Sequence, residues 1–517
     1  YFSEVNPVFT TVPEGVKLDF AVTVNPITTG VAFEGNTVYT SEVLTKFMDL
    51  QPGQVLNSVY VGQKVQGINA AYARDGYMLA HVDGIRVDDQ GVLHVHIVEG
   101  IVEDIVPAGN KKTRDKVITR EFVQKKGKPF NKFLVRRSVE RVYNLGFFDD
   151  VNVRMLPGDQ DPNNVIIEID VLEHKTGTIT LGAGYSKSDG LMGIIEFGED
   201  NFRGTGDKFK VHWEIGGKKK YKNYQISYLK PWIDSKGTSL GFSFFNREDE
   251  YTDYNEDGNE VAEYNKKSRG FNISFGRQTG EYTRDYLTLE SRKDSYKWDD
   301  DDSSGFRYDK NAGKGKNWNN GSYNFANDKY VDKNFGRINS ITWQKVYDSR
   351  DNIYEPTRGR RISYTAQWAG HGLGGDFDFY KFTAETRMYK KLGAKNVLAF
   401  RARGGFIQGD APYSQLFTLG GADSLRGYED DQFRGKYMYN ATLEFRFPIV
   451  KKVSGVLFTD IGDAWDAPNV SWYNSKKTFN YGVGAGVRIT TPIGPVKLDY
   501  GVGKHKNKFH FSFGTQF

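Results

Sequence analysis

Gly482-Val483-Gly484-Ala485-Gly486-Val487-Arg488-Ile489 is the stretch that decides the fold. Val483, Ala485, Val487 and Ile489 fall on one side of a two-residue period, and Gly482, Gly484, Gly486 and Arg488 on the other. Successive side chains of a strand point to opposite faces, so this reads as a strand with one apolar face and one of glycine and charge. The pattern recurs outward from there. Val496, Leu498, Tyr500 and Val502 oppose Lys497, Asp499, Gly501 and Gly503, and Phe509, Phe511, Phe513 and Phe517 oppose His510, Ser512, Gly514 and Gln516. Far upstream, Ile179, Leu181, Ala183 and Tyr185 oppose Thr180, Gly182, Gly184 and Ser186. In a soluble sheet the apolar face would pack on a second layer. In a closed membrane barrel it meets lipid, and the polar face lines a wet lumen.

Composition favours the barrel. The 517 residues include 36 Phe, 31 Tyr and 57 Gly, yet the mean hydropathy is −0.59. No apolar run approaches the roughly 18 residues of a transmembrane helix, whereas a barrel needs only alternate residues to be apolar. With 70 Lys+Arg against 65 Asp+Glu, the net +5 gives no reason to expect nucleic acid. The absence of Cys excludes disulfides, zinc–thiolate sites, iron–sulfur clusters and thiol catalysis. The chain starts at Tyr1 with no Met and no apolar leader, as expected after signal-peptide removal or for a chain that begins inside a longer protein.

Residues 176–517 are therefore expected to form an all-β, 16-stranded transmembrane barrel, at about 21 residues per strand and connection. Leu392-Gly393 and Thr491–Pro495 are short turns for one rim. The polar segments Arg247–Ser268 and Ser291–Asn334 are expected as long loops at the other, the acidic run Asp299–Asp302 lying in a solvated loop.

The N-terminal third repeats itself. Gly35-Asn36 returns as Gly109-Asn110, and Gly53 with Asn57 as Gly127 with Asn131, each at a spacing of 74. Each unit reads strand, helix, helix, strand, strand. In the first, helices are expected from Thr40 or Ser41 to Met48 and from Val59 to Tyr72, where Val61, Val65, Ile68 and Tyr72 keep helical spacing. In the second they are expected near Thr113–Lys125 and Lys132–Asn144. The units fall at 26–100 and 101–175, and 1–25 is the C-terminal part of a truncated copy. A row of such units is a binding scaffold, and their edge strands can pair with an incoming extended segment. His94 and His96 share a strand face without a third ligand nearby, so they read as exposed polar residues rather than a metal site.

Five segments in order carry a family resemblance: Asn201–Gly206; Asp348-Ser349-Arg350-Asp351 with Pro356-Thr357-Arg358-Gly359; Leu425-Arg426-Gly427-Tyr428; Phe458-Thr459-Asp460-Ile461-Gly462; and Thr491–Pro495. Through them the chain resembles the superfamily of outer-membrane protein insertases and polypeptide transporters, most closely the BamA-like barrel-assembly factors. Its N-terminal units resemble polypeptide-transport-associated (POTRA) repeats. The resemblance implies an outer-membrane barrel with periplasmic POTRA repeats that inserts other β-barrel proteins. Its partners would be unfolded barrel clients, accessory periplasmic or lipoprotein subunits, and outer-membrane lipid.

It also implies that Arg426 sits in the lumen, paired with carboxylates matched here by Glu444 and Asp460, with Gly427 and Tyr428 completing the loop motif. A guanidinium fork on two carboxylates would pin that loop. The aromatic end at Phe517 resembles the signal strand of barrel substrates. A lateral gate would lie between that last strand and the first, with Gly177, Gly182, Gly184 and Gly514 lowering the cost of opening. A TamA-like assembly factor, a two-partner-secretion transporter and a passive porin are the alternatives. The eight His are scattered and no nucleophile–His–acid set or phosphate loop is recognisable, so neither enzymatic activity nor a cofactor or metal is expected.

Overall fold

The structure is a computed structural model that describes residues 1–186, 190–216, 221–254, 260–297, 308–309, 314–315, 335–352, 355–467, 476–491, 494–504 and 506–513. It divides into two compact units, each described by itself: 1–176 with 200–206, and the remainder from Gly177.

The N-terminal unit starts with an antiparallel hairpin, β1 (Phe2–Val12) and β2 (Gly15–Val24). The first whole repeat follows as β3 (Gly30–Glu34), α1 (Ser41–Met48), α2 (Ser58–Arg74), β4 (His81–Val87) and β5 (Val92–Val98). The second is β6 (Val102–Ala108), α3 (Asp115–Thr119), α4 (Lys132–Tyr143), β7 (Phe148–Pro157) and β8 (Val165–Glu173). In each, the last strand takes the centre of a three-stranded sheet, parallel to the first and antiparallel to the fourth element. The two-residue period of β5 puts Leu93, Val95 and Ile97 under the helices, where Leu44, Met48, Ile68 and Tyr72 close the core.

The repeat extends to the caps. Asn57 Oδ1 accepts from Val59 and Tyr60 N–H, and Asn131 Oδ1 from Phe133 and Leu134 N–H, satisfying orphan donors at the starts of α2 and α4. The helix expected over Thr113–Lys125 is shorter than its pattern: α3 stops at Thr119. Beyond it, Ser138 Oγ of α4 accepts from both Val123 and Gln124 N–H, and Phe122 turns into the core. A side-chain acceptor and a buried ring thus replace the helical hydrogen bonds there.

The second unit is the 16-stranded antiparallel barrel. Its first seven strands are β9 (Gly177–Ser186), β10 (Gly190–Phe202), β11 (Asp207–Gly216), β12 (Tyr221–Lys230), β13 (Ser239–Tyr254), β14 (Glu260–Gly280) and β15 (Thr283–Lys297). A small ladder joins β16 (Tyr308–Asp309) to β17 (Lys314–Gly315). Then come β18 (Arg337–Asp348), β19 (Gly359–Ala369), β20 (Phe379–Leu392) and β21 (Asn396–Gly409). The hairpin β22 (Phe417–Leu419) and β23 (Phe433–Gly435) lies within the connection to β24 (Tyr437–Val450). The barrel ends with β25 (Val453–Trp465), β26 (Asn480–Thr491), β27 (Gly494–Gly503) and β28 (Asn507–Phe513).

Burial in this unit is inverted relative to a soluble protein. Trp213, Phe244, Trp368, Leu443, Leu457 and Phe509 are exposed, while Thr442, Glu444, Asp460, Arg488 and Asp499 are buried. That is the arrangement a bilayer demands of a barrel, apolar outward and polar inward.

One expected loop is strand. Arg247–Ser268, read as a long polar connection, belongs mostly to β13 and β14, with Arg247 opposite Ser268 and Glu248 opposite Lys267. Lys267 Nζ lies 3.4 Å from Glu248 Oε2. Backbone pairing does not require lipid, so a hairpin can continue past the apolar pair Phe244 and Phe271 with polar side chains on both faces. Likewise β15 runs on to Lys297, seven residues into the segment read as Ser291–Asn334; the acidic run Asp299–Asp302 lies outside the described residues.

Candidate functional site

The connection between β21 and β24 folds into the barrel, burying Leu416, Phe417, Leu419, Leu425, Tyr428 and Phe433 against Phe379, Ile407 and Met438. This apolar cluster anchors the loop, and Arg426 at its tip is 3% exposed. Every nitrogen of its guanidinium is engaged. Nε and Nη2 donate to the two oxygens of Asp460 at 2.7 and 2.8 Å, and Nη1 donates to Glu444 Oε1 at 2.7 Å. The backbone N–H of Arg426 adds a bond to Asp460 at 3.1 Å, and the guanidinium carbon stacks 3.4 Å from the Phe458 ring centroid. Glu444 on β24 and Asp460 on β25 face inward because both fall on the inner parity of their strands.

The cluster is larger than the three residues that the sequence identified. Arg488 of β26 binds Asp499 of β27, with Nη2 to Oδ2 at 3.0 Å, and approaches Glu444 at 3.5 Å. Arg446 Nε donates to Glu444 Oε2 at 2.9 Å, and Asp499 Oδ2 lies 3.5 Å from Arg426 Nη1. Three guanidiniums therefore face three carboxylates. Buried charge is tolerated only when paired and hydrogen-bonded, and each of these six groups has an ion-pair partner, with Arg488 Nε a buried guanidinium nitrogen lacking an acceptor among the described residues. Lys497 extends it, its Nζ 2.7 Å from Asp423 Oδ1 of the loop. Arg488, Lys497, Asp499 and His510 all stand on the glycine-and-charge face of the strands where the alternation was first read. Their pairing partners were not legible.

Gly427 adopts φ +97°, a conformation that disfavours any Cβ, and a Cβ there would lie 2.6 Å from Gly503 N. Its N–H donates to His510 Nε2 of β28 at 3.0 Å. Tyr428 Oη donates to Tyr481 O and accepts from Lys504 N–H, both at 3.0 Å. The loop thus touches β24, β25, β26, β27 and β28.

At the expected gate, Gly177, Gly182 and Gly184 of β9 pair with Glu199, Ile194 and Met192 of β10. Gly514 and Phe517 lie outside the described residues. The order of the sheet runs from β28 to β9, and among the described residues these two strands are not paired with each other. Of the remaining motifs, Arg350 Nη2 lies 2.7 Å from Asp348 Oδ2 at the end of β18. The turn Asn201–Gly206 belongs to the N-terminal unit, where Arg114 N–H donates to Gly204 O at 2.9 Å.

The repeats hold a feature that the sequence reading missed. Glu99, at the end of the first repeat, accepts Thr37 and Val38 N–H, each at 2.8 Å, and the Tyr72 hydroxyl at 2.8 Å. Glu173 does the same in the second, accepting Lys111, Lys112 and Thr113 N–H at 3.0, 2.8 and 2.6 Å. Burial alone would push the Glu173 carboxyl up, but these donors outweigh it and hold it below the usual carboxylate range. The signal was present, since Glu99 and Glu173 stand 74 positions apart like the asparagines. His94, on the exposed face of β5, has Nε2 2.9 Å from Asp88 Oδ2.

Two strand–helix–helix–strand–strand repeats ahead of a 16-stranded barrel, with an arginine-locked loop in the lumen, define an outer-membrane barrel with periplasmic POTRA repeats. The chain belongs to the Omp85 superfamily: the family profile of the Omp85 superfamily domain matches residues 201–517, and that of POTRA, the surface antigen variable number repeat, matches 26–100 and 101–174. It is 26% identical over 546 residues to the outer membrane protein assembly factor BamA of Nitratidesulfovibrio vulgaris, covering 98% of this chain and 64% of that protein. The chain thus spans less than two thirds of that relative's length. The crystal structure of BamA from Haemophilus ducreyi lacking POTRA domains 1–3 has the same fold, at TM-score 0.64 and 20% identity over 96% of this chain and all of that one. CdiB from Escherichia coli is similar at TM-score 0.63 and 14% identity, over 95% of this chain and 88% of that one.

Proposed function

We propose that this chain folds and inserts β-barrel proteins into the outer membrane through a lateral gate between β9 and β28, without enzymatic chemistry. The carrying observation is the pair of sheet edges at β9 and β28, left without each other as partners among the described residues. An unpaired edge presents a row of N–H and C=O groups, and a client strand supplies the complement by β-augmentation. Exposed edge strands of the POTRA repeats, β4 and β7, can receive extended clients in the same way. The Arg426 network stiffens the wall from β24 to β27, so that motion concentrates at the seam. Accessory subunits and outer-membrane lipid complete the proposed partners.

A disulfide engineered between β9 and β28 tests the gate: client insertion into vesicles should stop when it is oxidised and return on reduction. Insertion that proceeds through the locked seam would sink the reading. A polypeptide transporter is the second reading, since the motifs in order from Asn201 to Pro495 resemble a superfamily of both insertases and transporters. Depletion followed by outer-membrane proteomics separates the two, since an insertase takes many barrels with it, a TamA-like specialised factor only a few and a transporter none.

A further inference from the structure

We propose that His510 is a positioning residue: it latches the last barrel strand to the lumenal loop, and its protonation releases that strand. The consequence for insertion rests on the gate proposed above; the latch itself does not. His510 lies on the inner face of β28 and is 4% exposed. Its Nε2 is 3.0 Å from the Gly427 nitrogen, which is a backbone donor, so Nε2 accepts and the ring proton must sit on Nδ1. Among the described residues β28 is paired only with β27. Beyond that ladder, His510 ties it to the loop through Gly427, and Lys508 through Glu429.

Protonation reverses the His510 contact. The imidazolium carries a donor on each nitrogen, so Nε2–H would face the Gly427 N–H, and a buried amide would lose its acceptor. The charged groups facing the ring are Arg426 and Asp430 of the loop, Asp499 of β27 and Lys508 of β28 itself. Asp499 is already bound by Arg488, Arg426 and Lys508 repel a new cation, and Asp430, which attracts it, restores no acceptor to the Gly427 N–H. Relief therefore comes from movement of β28 away from Gly427. The loop stays in place, because Arg426 keeps Asp460 and Glu444 on β25 and β24. The release is confined to the strand that borders the seam.

Hydrogen–deuterium exchange on the full chain in liposomes tests this at about pH 7.5 and about pH 5.5, the window in which a solvated histidine, as in the released strand, changes charge. Rates are normalised to intrinsic exchange, and β24 peptides serve as the internal control. In the wild-type chain the amides of Asn507–Phe513 should exchange about tenfold faster at the lower pH, the size expected for one buried hydrogen bond. His510→Gln offers an uncharged acceptor at both pH values, so its β28 exchange should not depend on pH; His510→Ala should exchange fast at both. A flat wild-type profile, or the same pH dependence in His510→Gln, overturns the latch. Client insertion measured in parallel separates the two ideas. If β28 loosens as described while insertion is unchanged between the two pH values, the latch stands and the gate reading fails.

Discussion

Replacing Arg426 with Ala removes a guanidinium that makes three charge-assisted bonds, all at or below 2.8 Å, from a site that is 3% exposed. The cost follows from what is left behind. Glu444 keeps Arg446 and Arg488, and Asp499 keeps Arg488, but Asp460, at 0% exposed, loses the guanidinium fork that binds both its oxygens. Removing one partner of a buried ion pair costs about 3–5 kcal/mol, since the remaining charge is neither solvated nor neutralised. At about 1–2 °C per kcal/mol for a unit of this size, the barrel should unfold roughly 5 °C lower. Heat modifiability on electrophoresis, in which the folded barrel migrates faster than the unfolded chain, reads that temperature directly. A second substitution sharpens the test. In the Arg426→Ala background, Asp460→Asn removes the stranded charge and should recover part of the loss, although Asp460→Asn alone destabilises. If Arg426→Ala unfolds within a degree or two of the wild-type chain, or if the double variant is weaker than the single one, the buried-charge argument is wrong.

Three further outcomes follow from the same geometry. Gly427→Ala should lower the same transition, because its Cβ would meet Gly503 N at 2.6 Å in a backbone conformation that already disfavours a side chain; an unchanged band shift would refute the close-approach argument. Asn57→Ala should cost about 1 kcal/mol by removing the acceptor for two N–H groups at the start of α2, read as faster amide exchange in that helix. Glu173 is held below its ordinary range in the folded state, so its contribution is present above the unfolded carboxylate range and is lost as pH falls through the folded value. Protection of the Lys111–Thr113 amides should therefore decline on acidification in the wild-type chain and be low at every pH in Glu173→Gln.

The barrel was legible because its information is local. Alternation along Gly482–Ile489 and its neighbours states which side chains share a face, and the strand period needs no distant contact to operate. The repeats were legible for a related reason, since a spacing of 74 is visible in the letters, and the asparagine caps act within a turn of their own helices. Polar composition misled at Arg247–Ser268, because it reports solvent on both faces and not the absence of pairing. Helical spacing misled after Thr119, because Ser138, far along the chain, supplied the acceptor for Val123 and Gln124.

The Arg426 site divides along the same line. From the sequence, the strand period assigned Arg488, Asp499 and His510 to inner faces, and the family resemblance implied that Arg426, Glu444 and Asp460 meet in the lumen. Which of them touch was decided by the tertiary structure. The loop enters the lumen through its own apolar cluster, and strand register then sets Arg426 beside Asp460 and Glu444, and His510 beside Gly427. Parity repeats every two residues and is written in the chain. Partner choice across elements tens of residues apart depends on register and loop seating, which exist only once the barrel has formed.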